Sequence, residues 1–206
     1  MRILVVGAEG TVGQAAIGGL RAGHEIIKAG RKSGDVTVDM MDEASVSAMY
    51  GKIGKVDAVA CCAGHSYFGP IDTMTPLQFL DGMKDKVMGM VNLVLLGHAH
   101  VNDGGSFTLT SGILSRDPIR QGANAAACDG ALDAFVISAA IEMPRGIRIN
   151  AVSPGLLQDA EKKYDGFFRA IMRCHRGVLD WLLPRALRAL LRGRLLKSIN
   201  YPLGFF

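Results

Sequence analysis

The 206-residue chain has few aromatics (6%, with one tryptophan), only four cysteines and a modest 20% of charged residues. Two of the cysteines are adjacent, Cys61 and Cys62, and the others are Cys128 and Cys174. That is too few for a disulfide scaffold in a chain of this size, and the spacing fits no zinc site. Reduced thiols and no metal are the expectation. No apolar run reaches the roughly 18 residues of a membrane span, and the first apolar stretch, Ile3-Leu4-Val5-Val6, reads as a strand rather than a leader. A cytoplasmic protein with no membrane partner is expected. Linkers rich in proline and serine, internal repeats and low-complexity stretches are all missing before about residue 168, which favours a single domain over 1–206.

What is present suits a packed core. Hydrophobic residues make up 49% of the chain and the mean hydropathy is +0.23. The 26 glycines are about twice the share in average proteins, and many sit beside short apolar runs where backbones must approach closely. The net charge of +4 is unevenly placed. Residues 169–206 hold eight basic residues (Arg169, Arg173, Arg176, Arg185, Arg188, Arg192, Arg194 and Lys197) against Asp180, a net +7, so the first 168 residues carry −3. The basic balance describes the tail, and no nucleic-acid partner is inferred from it.

Apolar runs recur at 3–6, 26–29, 36–38, 58–62, 106–110 and 147–152, short and continuous as in strands buried on both faces. Helix-like stretches at 11–22, 44–50, 76–99 and 124–142 separate most of them. Alternating strands and helices predict an α/β protein with a doubly wound parallel sheet and right-handed crossovers. One crossover helix is missing, because only Arg31-Lys32-Ser33-Gly34-Asp35 separates the second and third strands.

Gly7-Ala8-Glu9-Gly10-Thr11-Val12-Gly13 follows the first strand directly and opens a helix. In that context Gly7 suits a tight turn, Gly10 a close approach to a pyrophosphate, and Gly13 the packing of helix on strand. The N–H groups of the helix start, at Thr11, Val12 and Gly13, would face the phosphates. The second strand ends Ala29-Gly30-Arg31, where a carboxylate usually marks a preference for NAD. A guanidinium there suits a 2′-phosphate, so NADP (NADPH) is favoured over NAD. Glu9 places a negative charge near the same pocket, and a Glu9–Arg31 pair is expected when no nucleotide is bound.

The glycine spacing, Asp39 closing the third strand, Cys61-Cys62-Ala63-Gly64 after the fourth, Gly105-Ser106-Phe107-Thr108-Leu109-Thr110-Ser111, and Arg148-Ile149-Asn150-Ala151-Val152-Ser153-Pro154-Gly155 together resemble the short-chain dehydrogenase/reductase family over roughly residues 1–156. The resemblance implies a Rossmann-type sheet of about seven strands and an NAD(P)-dependent oxidoreductase acting on a small carbonyl or alcohol. It places Asp39 near the adenine, the Cys62, Ala63 and Gly64 turn under the cofactor, and Pro154 and Gly155 beside the nicotinamide. It also implies a homodimer or homotetramer through the helices at 76–99 and 124–142.

Members of this family usually work with an Asn-Ser-Tyr-Lys set, in which a tyrosine of lowered pKa exchanges a proton with the substrate oxygen. Here the set is replaced. Ala125 stands where the tyrosine belongs, Asp129 where the lysine belongs, Gly112 where the serine belongs with Ser111 one residue before, and Lys86 where the helical asparagine belongs. A lysine has been gained at one position and a carboxylate at another, so a Lys86–Asp129 ion pair across the old site is expected. Ser111 is a candidate orienting group. Tyr67, in the His65-Ser66-Tyr67 stretch after the fourth-strand turn, and Tyr164, in a segment that resembles a substrate cover, are candidate proton donors. The cysteines read as small buried side chains rather than nucleophiles.

Beyond residue 157 the resemblance weakens into a divergent basic segment, 157–206. Residues 161–168 look like substrate cover, Pro184 can open a helix with leucines on one face and arginines on the other, and 195–203 suit a last strand. Three readings stay open for the tail: a last helix lying on the sheet, adsorption to an anionic membrane, and a change of reading frame near residue 169. For the whole chain the leading expectation is an NADP(H)-dependent reductase with a non-standard active site. The alternative is a dinucleotide-binding sensor or scaffold without turnover.

Overall fold

In the computed structural model, residues 1–20 and 22–155 are described. Six parallel strands, β1 (Arg2–Val6), β2 (Glu25–Gly30), β3 (Val36–Thr37), β4 (Val56–Cys61), β5 (Val101–Thr110) and β6 (Arg148–Val152), form one sheet in the order β3-β2-β1-β4-β5-β6. This is the doubly wound arrangement in which the strand order reverses beside β1. The expected seventh strand, 195–203, and the rest of the basic tail lie outside the described residues.

Alternation along the strands splits the core in two. Ile3, Val5, Ala58 and Ala60 face α1 (Thr11–Leu20) through Ala16, Ile17 and Leu20. Leu4, Val6, Val59, Phe107 and Leu109 face the other layer, built from α2 (Glu43–Ile53), α3 (Pro76–Gly82), α4 (Gly89–Leu95) and α5 (Ala123–Glu142). Asp42 caps α2 by accepting from Ala44 N–H at 2.9 Å, which starts the helix earlier than its apolar pattern does. Tyr50 on α2 is fully buried and donates to Leu93 O on α4 at 2.8 Å, and burial pushes its hydroxyl pKa far above the ordinary value.

The missing crossover is real, and its geometry explains how so short a link serves parallel strands. β3 has only two residues, and Asp35 turns the chain back by donating from N–H to Lys28 O and accepting from Lys28 N–H, each at 2.8 Å.

The helix expected over 76–99 is not continuous. Thr75 and Gln78 form a capping box at its start. After α3 the chain widens into a π-helical turn, Met83–Met88, where Gly89 N–H reaches back to Lys84 O, and then resumes as α4. The widened turn sits between Gly82, which packs on the Asn124 side chain, and Gly89, which packs on Met40.

One described helix, α5, is long and apolar enough by composition to span a membrane. Its inner face is nevertheless buried against the protein and carries Asn124 and Asp129, as a core helix that serves a site would.

Candidate active site

The carboxyl ends of the strands converge on one edge, with the crevice opening where the order reverses between β1 and β4. Gly7 turns out of β1 at φ +79, and a Cβ there would lie 2.7 Å from Ala63 N, so the turn after β1 rests directly on the turn after β4. Gly13 is closer still: its Cβ would stand 2.1 Å from Gly7 O. A Cβ on Gly10 would meet only Gly7 O, at an ordinary contact distance of 3.4 Å, and Gln14 N–H makes the first helical bond back to Gly10 O at 2.8 Å. The N–H groups of Thr11, Val12 and Gly13 thus precede the helical ladder, at the positive end of the helix dipole. A cradle this shallow, with donors at its rim, fits a dinucleotide pyrophosphate.

Around it, Cys62 N–H donates to Val6 O at 2.8 Å, fixing the β4 turn to β1. Burial pushes the thiols of Cys61 and Cys62 up to about 12, with each other's proximity adding to Cys62, so both stay protonated near neutrality. Asp39, past the end of β3, accepts from Met41 N–H at 3.1 Å while its own N–H donates to Ser45 Oγ at 3.0 Å, a local turn that leaves it half-buried.

Arg31 does not pair with Glu9. Its Nη2 lies 3.1 Å from Asp85 Oδ2 on the π-helical turn, while Glu9 approaches Lys28 Nζ at 3.8 Å. β2, which Arg31 follows, presents Lys28 from its interior, and Glu9 in the loop after β1 meets that cation.

Lys86 and Asp129 come together. Lys86 Nζ stands 2.6 Å from Asp129 Oδ1 and 3.1 Å from Ser111 O, and the side chains are 13% and 2% exposed. Asp129 Oδ2 accepts from Leu114 N–H at 3.3 Å. The carboxylate therefore has an ammonium on one oxygen and a backbone donor on the other, as a buried charge requires. A Cβ on Gly112 would lie 2.4 Å from Asp129 Oδ2. On the other side, Gly64, at φ +129, lets the β4 turn close on Lys86, whose Cγ would be 3.1 Å from a Cβ there. The ammonium is thus held between the turn after β4 and the end of β5.

Ser111 donates from its N–H to Val152 O at 2.9 Å, and its Oγ, fully buried, has no hydrogen-bond partner among the described residues. Ala125 packs with Leu114, Ile119 and Phe68 in a small apolar cluster. Tyr67 is half-buried with its ring over Gly69, and no hydrogen bond joins its hydroxyl to Lys86 or Asp129 among the described residues. Tyr164 lies outside the described residues. Pro154 O accepts from Ile113 N–H at 3.2 Å, which holds the Pro154-Gly155 turn against the end of β5.

Three residues that shape the site stand outside the sequence motifs. Asn124 accepts from Tyr67 N–H at 2.8 Å and donates to Phe79 O at 2.7 Å, tying the loop after β4 to α3 and α5. Arg116, in the segment after β5, bridges Asp133 at 3.0 Å and Ser153 Oγ, joining α5 to the turn after β6. Asp85 joins Arg31 to His65, whose N–H it accepts at 2.8 Å. Its position next to Lys86 was the available signal.

The model for the enoyl-(acyl carrier protein) reductase family matches residues 15–177, well over half of the chain. No curated protein matches. Among solved structures, the protein lin1944 from Listeria innocua is 46% identical, with a TM-score of 0.89 over 95% of this chain and 96% of that one. A small-chain dehydrogenase in complex with NADPH is 28% identical, with a TM-score of 0.80 over 92% of this chain and 90% of that one. A short-chain type dehydrogenase/reductase from Mycobacterium ulcerans, 20% identical with a TM-score of 0.78 over 92% and 82% of the two chains, shares the fold. The reversal of strand order at β1, the glycine turn wedged against Ala63, and the family match across most of the length agree: this chain belongs to the short-chain dehydrogenase/reductase family.

Proposed function

We propose that the protein is an NADP(H)-dependent oxidoreductase that interconverts a small carbonyl compound and its alcohol, with Lys86 in the place of the missing tyrosine as proton donor. The observation that carries this reading is the Lys86 ammonium, fixed at 2.6 Å by Asp129 and at 3.1 Å by Ser111 O, beside the turn where the nicotinamide belongs. Gly7, Gly10 and Gly13 with the N–H groups of Thr11 to Gly13 would hold the pyrophosphate, Arg31 the 2′-phosphate, and Asp39, Cys62, Ala63, Gly64, Pro154 and Gly155 the adenine and nicotinamide ends. The NADPH complex of the 28%-identical dehydrogenase supports this choice of cofactor.

When bound, the cofactor supplies hydride to the carbonyl carbon. Lys86 polarises the carbonyl oxygen and gives it a proton, and its amine regains that proton from water. Asp129 orients the ammonium and Ser111 O fixes its direction. The three described cysteines are free thiols, which suits a cytoplasmic location.

A second reading, a cofactor sensor without turnover, is favoured by the same ion pair, since Asp129 and Ser111 O already occupy two of the three ammonium donors. The test is calorimetric titration with NADPH and NADH, run beside a screen of small aldehydes and ketones for loss of nicotinamide absorbance. Binding with turnover that Lys86→Met abolishes carries the reductase reading. Tight binding with no turnover carries the sensor, and no binding overturns both.

The proposal extends to self-association through α4 and α5. Leu95, Ile137 and Ile141 are exposed on these helices, Ile141 by 87%. Light scattering is expected to show a dimer or tetramer, and a monomer at micromolar concentration removes this interface.

A further inference from the structure

The π-helical turn puts consecutive side chains to work at opposite ends of the crevice. Lys86 reaches Asp129 and the end of β5, whereas Asp85 reaches Arg31 at the end of β2. Asp85 is the better fixed member of its pair: its side chain is 19% exposed and Oδ1 accepts from His65 N–H at 2.8 Å, while Arg31 is 55% exposed and is held through Nη2 alone. A carboxylate held by His65 N–H therefore stands against the guanidinium that follows β2.

We infer that Asp85 is a specificity-determining residue that competes with the 2′-phosphate for Arg31. The inference rests on the cofactor reading above. Two anions meet at this guanidinium. A phosphomonoester near a charge of −2 attracts it more strongly than a single carboxylate does, and its oxygens match the guanidinium fork. The Arg31–Asp85 bond is exposed and engages one nitrogen, which makes it weak enough to yield. Asp85 keeps its bond to His65 N–H when the guanidinium turns to the phosphate, and two anions drawn to one guanidinium repel each other. NADP(H) binding must overcome both effects, and NAD(H), which has no phosphate there, meets neither. Asp85 thus narrows the margin by which this chain prefers the phosphorylated cofactor.

Asp85→Asn separates the two roles of the side chain, since its amide oxygen still accepts from His65 N–H while its charge is gone. Titration of the full chain at low salt is expected to show NADPH binding tightened roughly two- to fivefold by D85N, with NADH binding unchanged. In an Arg31→Ala background the same substitution is expected to tighten NADPH binding by less, since the competition for the guanidinium is gone and only the repulsion is left to relieve. Unchanged or weaker NADPH binding by D85N, beside a wild-type protein that binds NADPH, overturns this inference alone. Equal tightening of NADH also overturns it. Failure of the wild type to bind NADPH overturns the cofactor reading and this inference with it.

Discussion

Gly112 and Asp129 claim one space: a Cβ on the glycine would lie 2.4 Å from the Oδ2 of the carboxylate. By the resemblance Gly112 falls at the position expected of the family serine and Asp129 at that expected of its lysine, and the shared space links the two residues sterically. Gly112→Ala is expected to destabilise the protein by about 1–3 kcal/mol, and by less in an Asp129→Ala background, by urea denaturation. Equal costs in both backgrounds would sever the link.

The ion pair should be far more sensitive to removal of one partner than of both. Lys86→Met leaves Asp129 buried with only Leu114 N–H for company, at an expected cost of about 3 kcal/mol. The double change Lys86→Met and Asp129→Leu should recover much of that loss while remaining inactive. Denaturation midpoints of the unaltered protein and the two variants check the order.

Arg31→Ala is expected to weaken NADPH binding by roughly tenfold or more, the worth of charge-assisted bonds to phosphate, with little change for NADH. Parallel titrations decide it, and equal losses remove Arg31 as the phosphate ligand.

The buried thiols imply a pH dependence. Cys61 and Cys62 rise from an ordinary 9.0 to about 12, so between those values the unfolded chain sheds protons that the folded chain keeps. Stability therefore falls as pH rises from about 9 toward 12. In a Cys174→Ser background, a thiol reagent at pH 8 should label the native protein slowly and all three remaining cysteines once it is unfolded. Rapid native labelling contradicts the burial.

Steric rules made much of this molecule legible in advance. Gly7 and Gly13 were readable because a glycine turn between strand and helix admits few geometries, and the β2–β3 link because five residues hold no crossover helix. The Lys86–Asp129 pair was readable because the resemblance sets a lysine and a carboxylate at two positions expected to face one site. The partner of Arg31 was not, because Glu9 is close in the motif but Lys28 is closer in space, while Asp85 comes from an element 54 residues away. Nor was the widened turn, since apolar periodicity runs through residues 76–95 without a break and only the packing of Gly82 and Gly89 discloses the change of pitch. Asn124 was silent for a similar reason: its side chain bonds to Tyr67 N–H and Phe79 O, 57 and 45 residues away along the chain.

The turn at Met83–Met88 also limits how this site can change. An α-helical turn obtained by deleting one residue would rotate everything before it relative to α4, and the two charges could no longer address their present partners together. Drift at either end of the crevice is thereby tied to drift at the other. A lineage that altered cofactor choice through position 85 would be doing so on the same few ångströms of backbone that aim the ammonium at 86, so selectivity and chemistry are inherited here as one unit.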